Sequence, residues 1–524
     1  MNKEKKISLL SPFVLLLFIV IIAGFLRAYN IKSLPPGLYP DEAMNGNNAL
    51  EAISTGNWKV FYPENNGREG LFINIQGLSI KTFGNEPWAL RIVSIIFGTF
   101  TVLGVYFLAK ELFIKLPRRF GRDPGFTSDQ PENKIISLNQ KIALLSAFLI
   151  ATSFWHINFS RIGFRAIMAP FFLTWALYFL LKGLRNQKWL LYGIISGLVY
   201  GLGMHSYIAY RATPLLILIV FGMWFFTHKE SRMATVKIFI VFTIFSLLAF
   251  APLGYYFLKN PADFMGRTSQ VSVFNSPSPL KDLTLNTLKT LGMFGIVGDY
   301  NWRHNISGSP QLFWPVGIIF LIGVLFSLVG IFKKPQNDRD KTVRFASWIL
   351  FSALVVVSLP VVISNEGIPH ALRSIIMIPP VFILAGFGGI WLYEFLKNYF
   401  SEFKHGVFRK FLFITGIIFL IFLPFNAYYD YFIKWGKNYN VQGAFAADYV
   451  AIGRELNNLP PERPKFVIIQ ASGSEVRGIQ MPSQTVMFIT DTFTPEKQAK
   501  KNIYYKLPSQ INQIPKGSYT AVIK

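Results

Sequence analysis

The sequence contains no cysteine, which excludes disulfides, thiolate metal sites and a cysteine nucleophile. Charge is scarce as well: 15% of the 524 residues are charged, where soluble chains average about a quarter. Carboxylates are rarer still, 27 against 52 Lys and Arg, for a net charge of +25. Such a charge suits nucleic acid, but its placement argues against that partner. Lys and Arg gather in short segments between apolar runs, where membrane topology uses them. No repeat of fixed period is visible.

What is abundant is apolar. The chain is 52% hydrophobic with 52 Phe, and its mean hydropathy is +0.38. A bilayer core of ~30 Å needs about 20 helical residues. The apolar stretches predict helices near 9–28, 88–113, 141–158, 165–183, 189–207, 212–227, 236–258, 312–332, 343–363, 372–396 and 411–427. Backbone groups in lipid must satisfy one another within each segment, and stretches of this length exclude a β-barrel. The first follows Lys3, Lys5 and Lys6 and lacks a small-residue cleavage site, so it reads as an uncleaved span.

The basic segments predict orientation. Lys3/Lys5/Lys6, Lys115–Arg119, Arg185–Lys188, Lys229–Lys237, Lys333–Arg344 and Lys397–Lys410 share one side when helices are counted alternately. That side is expected to be cytoplasmic, with the C-terminus outside the plasma membrane. The stretch 117–140 reads as a plain flexible loop. The outer segments are then 29–87, 259–311 and a tail beginning at 426. In the tail, polar stretches alternate with β-rich pieces, Phe466–Gln470 and Thr485–Ile489. The expected architecture is an all-α polytopic membrane domain, 1–427, followed by a small extracytoplasmic α/β domain, 428–524.

The first outer loop opens Leu34-Pro35-Pro36-Gly37-Leu38-Tyr39-Pro40-Asp41-Glu42-Ala43. Pro40 fixes the backbone before two acids, and Asp41 stands where a helix starts. Both acids suit the positive end of that helix, a role compatible with chemistry. A second charged cluster follows, Tyr62-Pro63-Glu64-Asn65-Asn66-Gly67-Arg68-Glu69-Gly70. The apolar stretch 71–78 is too short to span and is expected to lie in the interface as a helix. Acids above such a helix stand at headgroup height, where a phosphate-linked lipid presents its reactive carbon.

The loop closes with Phe83-Gly84-Asn85-Glu86-Pro87-Trp88-Ala89-Leu90-Arg91. This ordered set resembles the GT-C class of integral-membrane glycosyltransferases, specifically the family 39-like branch of protein mannosyltransferases and lipid A aminoarabinose transferases. Arg68-Glu69-Gly70-Leu71 stands where many relatives have Lys-Pro-Pro-Leu, so the basic position matches and the prolines do not. The motifs cover about residues 25–215; beyond them the resemblance rests on architecture.

The resemblance implies transfer of a sugar from a polyprenyl-phosphate donor to a protein, lipid or glycan acceptor on the outer face, with inversion. It gives Asp41 the role of general base, with Glu42 assisting Asp41 or orienting the acceptor. The leaving phosphate needs positive partners. Arg68 with Glu69, Arg161, Arg165, and Arg211 with His205 and Tyr207 are the candidates, since a guanidinium fork matches phosphate oxygens. Arg near helix ends also simply snorkels to headgroups. His370 and Arg373 share a helical face and suit either a sugar-phosphate contact or a polar turn. Tyr39, Glu64 and the run containing Asp299, Arg303 and His304 complete the acceptor-side candidates.

Asp41, Glu42, Glu64, Glu69, His205 and His370 offer hard ligands, but none has the spacing of a metal motif. A divalent cation therefore stays open, and no cofactor is required by the sequence. The competing reading is a secondary transporter or lipid flippase, which should carry ionisable groups at mid-bilayer and two similar halves. Here the ionisable residues crowd into loops and helix ends. A membrane scaffold ranks last, because it leaves the large first loop unexplained.

Overall fold

A computed structural model describes residues 11–114, 136–399 and 406–524. Lys3–Lys6, Lys115–Arg119, most of the predicted loop 117–140 and residues 400–405 lie outside the described residues. Within them, eight helices are long and apolar enough to cross a membrane, from Pro87–Leu112 to Lys410–Trp435. Three shorter apolar helices, Pro12–Ala28, Leu138–Ala151 and Trp189–Gly203, complete the expected eleven. The protein is an integral membrane protein of the expected polytopic architecture.

The predicted span 141–158 is divided. Leu138–Ala151 ends and a short helix, Phe154–Phe159, begins three residues later. A helix end leaves carbonyls without partners, and here Arg27 supplies the donors. Its guanidinium, buried, donates to Ala151 O at 3.1 Å and Ile150 O at 3.3 Å. Elsewhere small residues let helices approach. Trp314–Phe332 and Ile378–Tyr399 meet at Gly323 and Gly388, where the facing backbone leaves no room for a Cβ, the usual device of packing in lipid.

Two ion pairs join helix ends next to predicted inner segments. Arg185, in a predicted inner segment, pairs with Glu111 at 3.0 Å and lies over the Trp224 and Phe345 rings. Lys141 pairs with Glu394 at 3.0 Å. Two of the predicted outer segments, 29–87 and 259–311, contribute to the wall of the cavity described below.

Before the second span the chain forms α1 (Pro12–Ala28), α2 (Pro40–Thr55) and α3 (Gly70–Phe83), and then enters α4 (Pro87–Leu112). The expected interfacial stretch 71–78 is inside α3, packed between α2 and α4. At the other end of the chain, strand Lys465–Ile469 lies between Ile503–Lys506 and Tyr519–Ile523 in a parallel sheet. Val467 sits opposite Tyr505 and Ala521. Thr485–Ile489 differs from expectation: Gln484–Thr490 is a helix. Thr485, Val486, Phe488 and Thr490 are buried, with the Phe488 ring filling the space left by Gly46 of α2, so tertiary contact overrides strand propensity.

The C-terminal region therefore roofs the first loop, and Met44 of α2 belongs to its core. Arg477 clamps the two together. It donates to both oxygens of Glu51 at 2.8 and 2.9 Å and to Glu64 at 2.7 Å. The clamp is partly exposed, so Arg477→Ala should cost only about 1 kcal/mol. The expected sign is faster proteolysis within 472–480 at an almost unchanged thermal midpoint. Unchanged proteolysis would remove the clamp from the account.

Candidate active site

The entry to α2 sets the directions of the two acids. Pro40 occupies the first helical position, where its missing N–H costs nothing, and Glu42 reaches back to the Tyr39 N–H at 3.4 Å. Glu42 is fully buried. Arg91 forks it at 2.9 and 3.0 Å, and the Gly163 N–H donates at 2.6 Å. Arg91 also donates to Pro35 O and Gly37 O, at 2.6 and 2.9 Å. One guanidinium thus fixes both the loop that enters α2 and the acid on its first turn.

Asp41, one residue earlier, lines a cavity of about 540 Å³. Its Oδ1 accepts from Asn65 Nδ2 at 2.7 Å. Asn65, Asn66 and Gly67 run through successive left-handed conformations, which Asn tolerates better than most residues. That turn joins the paired strands Phe61–Tyr62 and Arg68–Glu69. Arg68 is buried and donates to Asn45 at 2.7 Å, Asn48 at 2.5 Å and Glu64 O at 3.3 Å. Burial, then the charge of Arg165, lowers its pKa to about 10, so it is charged at neutral pH.

The remaining walls come from three later helix junctions. Arg165 donates to Glu69 at 2.7 Å, and Arg211 lies 3.6 Å from the other Glu69 oxygen. Arg211 also donates to Phe264 O at 2.7 Å and covers the Phe264 ring at 4.4 Å. Arg373 pairs with Glu366, while its Nη1 is buried without a partner. Phe264, Leu359, Pro360 and Leu372 make part of the lining apolar. The cavity thus offers the carboxylates of Asp41, Glu69 and Asp263, several guanidinium groups and a greasy wall.

No protein-family model matches the sequence, and no curated protein matches it. Solved structures do match. One is the archaeal oligosaccharyltransferase AglB from Archaeoglobus fulgidus, in complex with an inhibitory peptide and a dolichol-phosphate. It superposes with a TM-score of 0.52 at 14% identity, over 91% of this chain and 63% of that one. Another is ArnT from Cupriavidus metallidurans, bound to undecaprenyl phosphate. Its TM-score is 0.53 at 12% identity, over 91% of this chain and 84% of that one. The chain has the GT-C fold. It spans slightly less than two thirds of AglB's length.

Within this GT-C frame, the sequence-predicted residues separate into two groups. The cavity gathers Asp41, Arg68, Glu69, Arg165, Arg211 and Arg373, with Tyr207 beside them. Glu42 is not in its wall. Nor is Arg161, which is fully buried and donates to Leu26 O at 3.2 Å, Arg27 O at 2.6 Å and Leu34 O at 2.8 Å. Its guanidinium lies 5.0 Å from both the Tyr431 and Phe432 ring centres, so it ties α1 to the first loop. His205 shares a hydrogen bond with Ala249 O at 3.0 Å, away from the cavity. Glu64 faces Arg477.

Tyr39 lies under Arg303, whose guanidinium is 3.7 Å from the ring centre; burial pushes its phenol pKa up. Asp299, His304 and His370 form a second cluster. Asp299 accepts from Asn301 N at 2.7 Å, Ala371 N at 2.8 Å and His304 Nδ1 at 3.0 Å. Burial works to raise its pKa, but those bonds and the two imidazoles outweigh burial and hold it below the ordinary carboxylate value. Burial also lowers His304, against the pull of Asp299. It takes His370, with His304 adjacent, down to about 3.

Sequence reasoning missed Asn65, Asn45 and Arg91. Asn65 left a trace, since an Asn-Asn-Gly run before a charged pair marks a tight turn. Arg91 was visible as a lone cation entering an apolar helix, a position that in lipid demands a partner.

Proposed function

We propose that this protein is a membrane glycosyltransferase that moves a sugar from a polyprenyl-phosphate donor to an acceptor at the outer face. The observation that carries the reading is the opening of Asp41, Arg165, Arg211 and Arg373 into one partly apolar cavity. AglB and ArnT, which share the fold, are complexed with dolichol-phosphate and undecaprenyl phosphate. A cationic, greasy-walled cavity suits the same chemistry here. The acceptor is a hydroxyl or amide on a protein, lipid or glycan.

In this mechanism the Asp41 carboxylate takes the proton of the acceptor as its heteroatom attacks the anomeric carbon. The bond from that carbon to the phosphate oxygen breaks, and the polyprenyl phosphate leaves with the electron pair. Displacement in one step inverts the carbon and needs no covalent enzyme intermediate. Arg373 Nη1 meets the charge that grows on the phosphate, with Arg211 and Arg165 behind it. Asn65 aims Asp41. Glu42 serves by holding the α2 entry against Arg91 rather than by touching the acceptor.

The cavity end of the bundle is assigned outside, with both the N-terminus and the basic ends cytoplasmic. On this reading 1–427 carries the chemistry, and 428–524 covers the acceptor entrance. Removing one charged hydrogen bond to the phosphate should cost about 1.5–3 kcal/mol, or roughly 10- to 100-fold in donor affinity. Arg373→Ala should show that loss in equilibrium binding of a polyprenyl phosphate, while Arg161→Lys should not. Equal affinity in wild type and Arg373→Ala would remove the phosphate site from this cavity wall.

A further inference from the structure

Beside the cavity, two loops meet around one carboxylate oxygen. The run 298–308 closes on itself, Gly298 N to Gly308 O at 3.2 Å and Gly308 N to Asp299 O at 3.0 Å, and presents Asp299 and His304. His370 arrives from the junction before the span Ile375–Tyr399. Its ring stacks on His304, centroids 5.0 Å apart at 29°. His304 Nδ1 is 3.0 Å from Asp299 Oδ2, and His370 Nδ1 is 3.7 Å from the same oxygen.

Hydrogen bonding leaves this arrangement incomplete. The 3.7 Å separation is too long for a bond, and His370 Nδ1 is buried with no partner. A buried polar atom without a partner calls for an explanation, an ion among them. Three ligand atoms lie within 4.8 Å of one another, and two imidazoles with one carboxylate are a zinc-type donor set. In a tetrahedral site with bonds of about 2.0–2.1 Å, neighbouring ligand atoms stand about 3.3 Å apart. The two separations to Asp299 Oδ2, 3.0 and 3.7 Å, bracket that spacing, and the two imidazole nitrogens lie within 4.8 Å of one another.

Support around the ligands is already present. Asp299 is oriented by the Asn301 and Ala371 N–H groups, and His304 is backed by the Phe159 ring at 5.7 Å. Such outer partners fix the direction of metal ligands.

We infer that Asp299, His304 and His370 form a site for a zinc-type divalent cation, with water as the fourth ligand. On binding, the ion takes the place of the proton between His304 Nδ1 and Asp299, and the neutral imidazole carries that proton on Nε2 instead, so His304 binds as the neutral ligand. The ion staples 298–308 to the turn that carries Arg373, and so holds Arg303 over Tyr39 and Arg373 at the cavity. This role is positional. No step of the transfer passes through the ion.

The test uses the full chain carrying no polyhistidine tag, stripped with chelator and returned to zinc or cobalt(II) without any sugar donor. Wild type should take up one equivalent of zinc, rise in thermal midpoint, and with cobalt(II) show the visible absorption of a tetrahedral site. His370→Gln should fold with the midpoint of the stripped wild type, bind zinc more than about 10-fold more weakly, and lose the cobalt spectrum. His205→Gln should keep both. Failure of the wild type to bind zinc stoichiometrically, or undiminished binding in His370→Gln, overturns the site. Because no sugar is involved, either result leaves the transferase reading standing.

Discussion

Asp41→Asn should reduce sugar transfer by about 10²- to 10⁴-fold, the usual contribution of a general base, while the protein stays folded. The substitution keeps the size of the side chain and its place as acceptor for Asn65, 2.7 Å away. It removes only the group able to take a proton. Asp41 is not in any ion pair among the described residues, and buried Arg68, whose charge it favours, keeps Glu64 and its bonds to Asn45 and Asn48. The check is turnover per folded molecule beside the thermal midpoint in the same detergent. Turnover near wild type would move the base elsewhere, and Glu69, already paired with Arg165 and Arg211, would be the next carboxylate in the wall.

The largest stability effect is expected at Arg91. Arg91→Ala leaves Glu42 fully buried with only the Gly163 and Tyr39 N–H groups and strips the donors from Pro35 O and Gly37 O. Breaking a buried pair from one side costs about 3–5 kcal/mol, enough to empty a marginally stable fold. We expect poor recovery of folded protein and a sharp fall in midpoint. Removing both charges together, in Glu42→Met with Arg91→Met, should cost less than Arg91→Ala alone, because no charge is left uncompensated. A wild-type midpoint in Arg91→Ala would show that the first loop is held by other means.

The two substitutions mark what the sequence made legible. The number of spans followed from apolar length, because lipid forces each helix to satisfy its own backbone. Asp41 was legible from its place after Pro40. Arg161 and Arg165 were not separable. Four residues apart, they would share a helical face, yet the chain between them is irregular. One turns inward to backbone carbonyls and the other to Glu69. The same limit hid Glu42: adjacent acids read alike until Arg91 is seen 2.9 Å away. Partners distant in sequence decide such cases, as they did for the helix at Gln484–Thr490.

The central claim is that the cavity consumes a polyprenyl-phosphate sugar. Purified protein in lipid nanodiscs should be given a panel of radiolabelled polyprenyl-phosphate sugars, with membrane extract as acceptor. The account predicts loss of label from one donor, matching gain in an acceptor fraction, and release of the polyprenyl phosphate. With every donor intact, and labelled lipid instead moving between leaflets in proteoliposomes, the transferase account would be contradicted and the transporter reading would take its place.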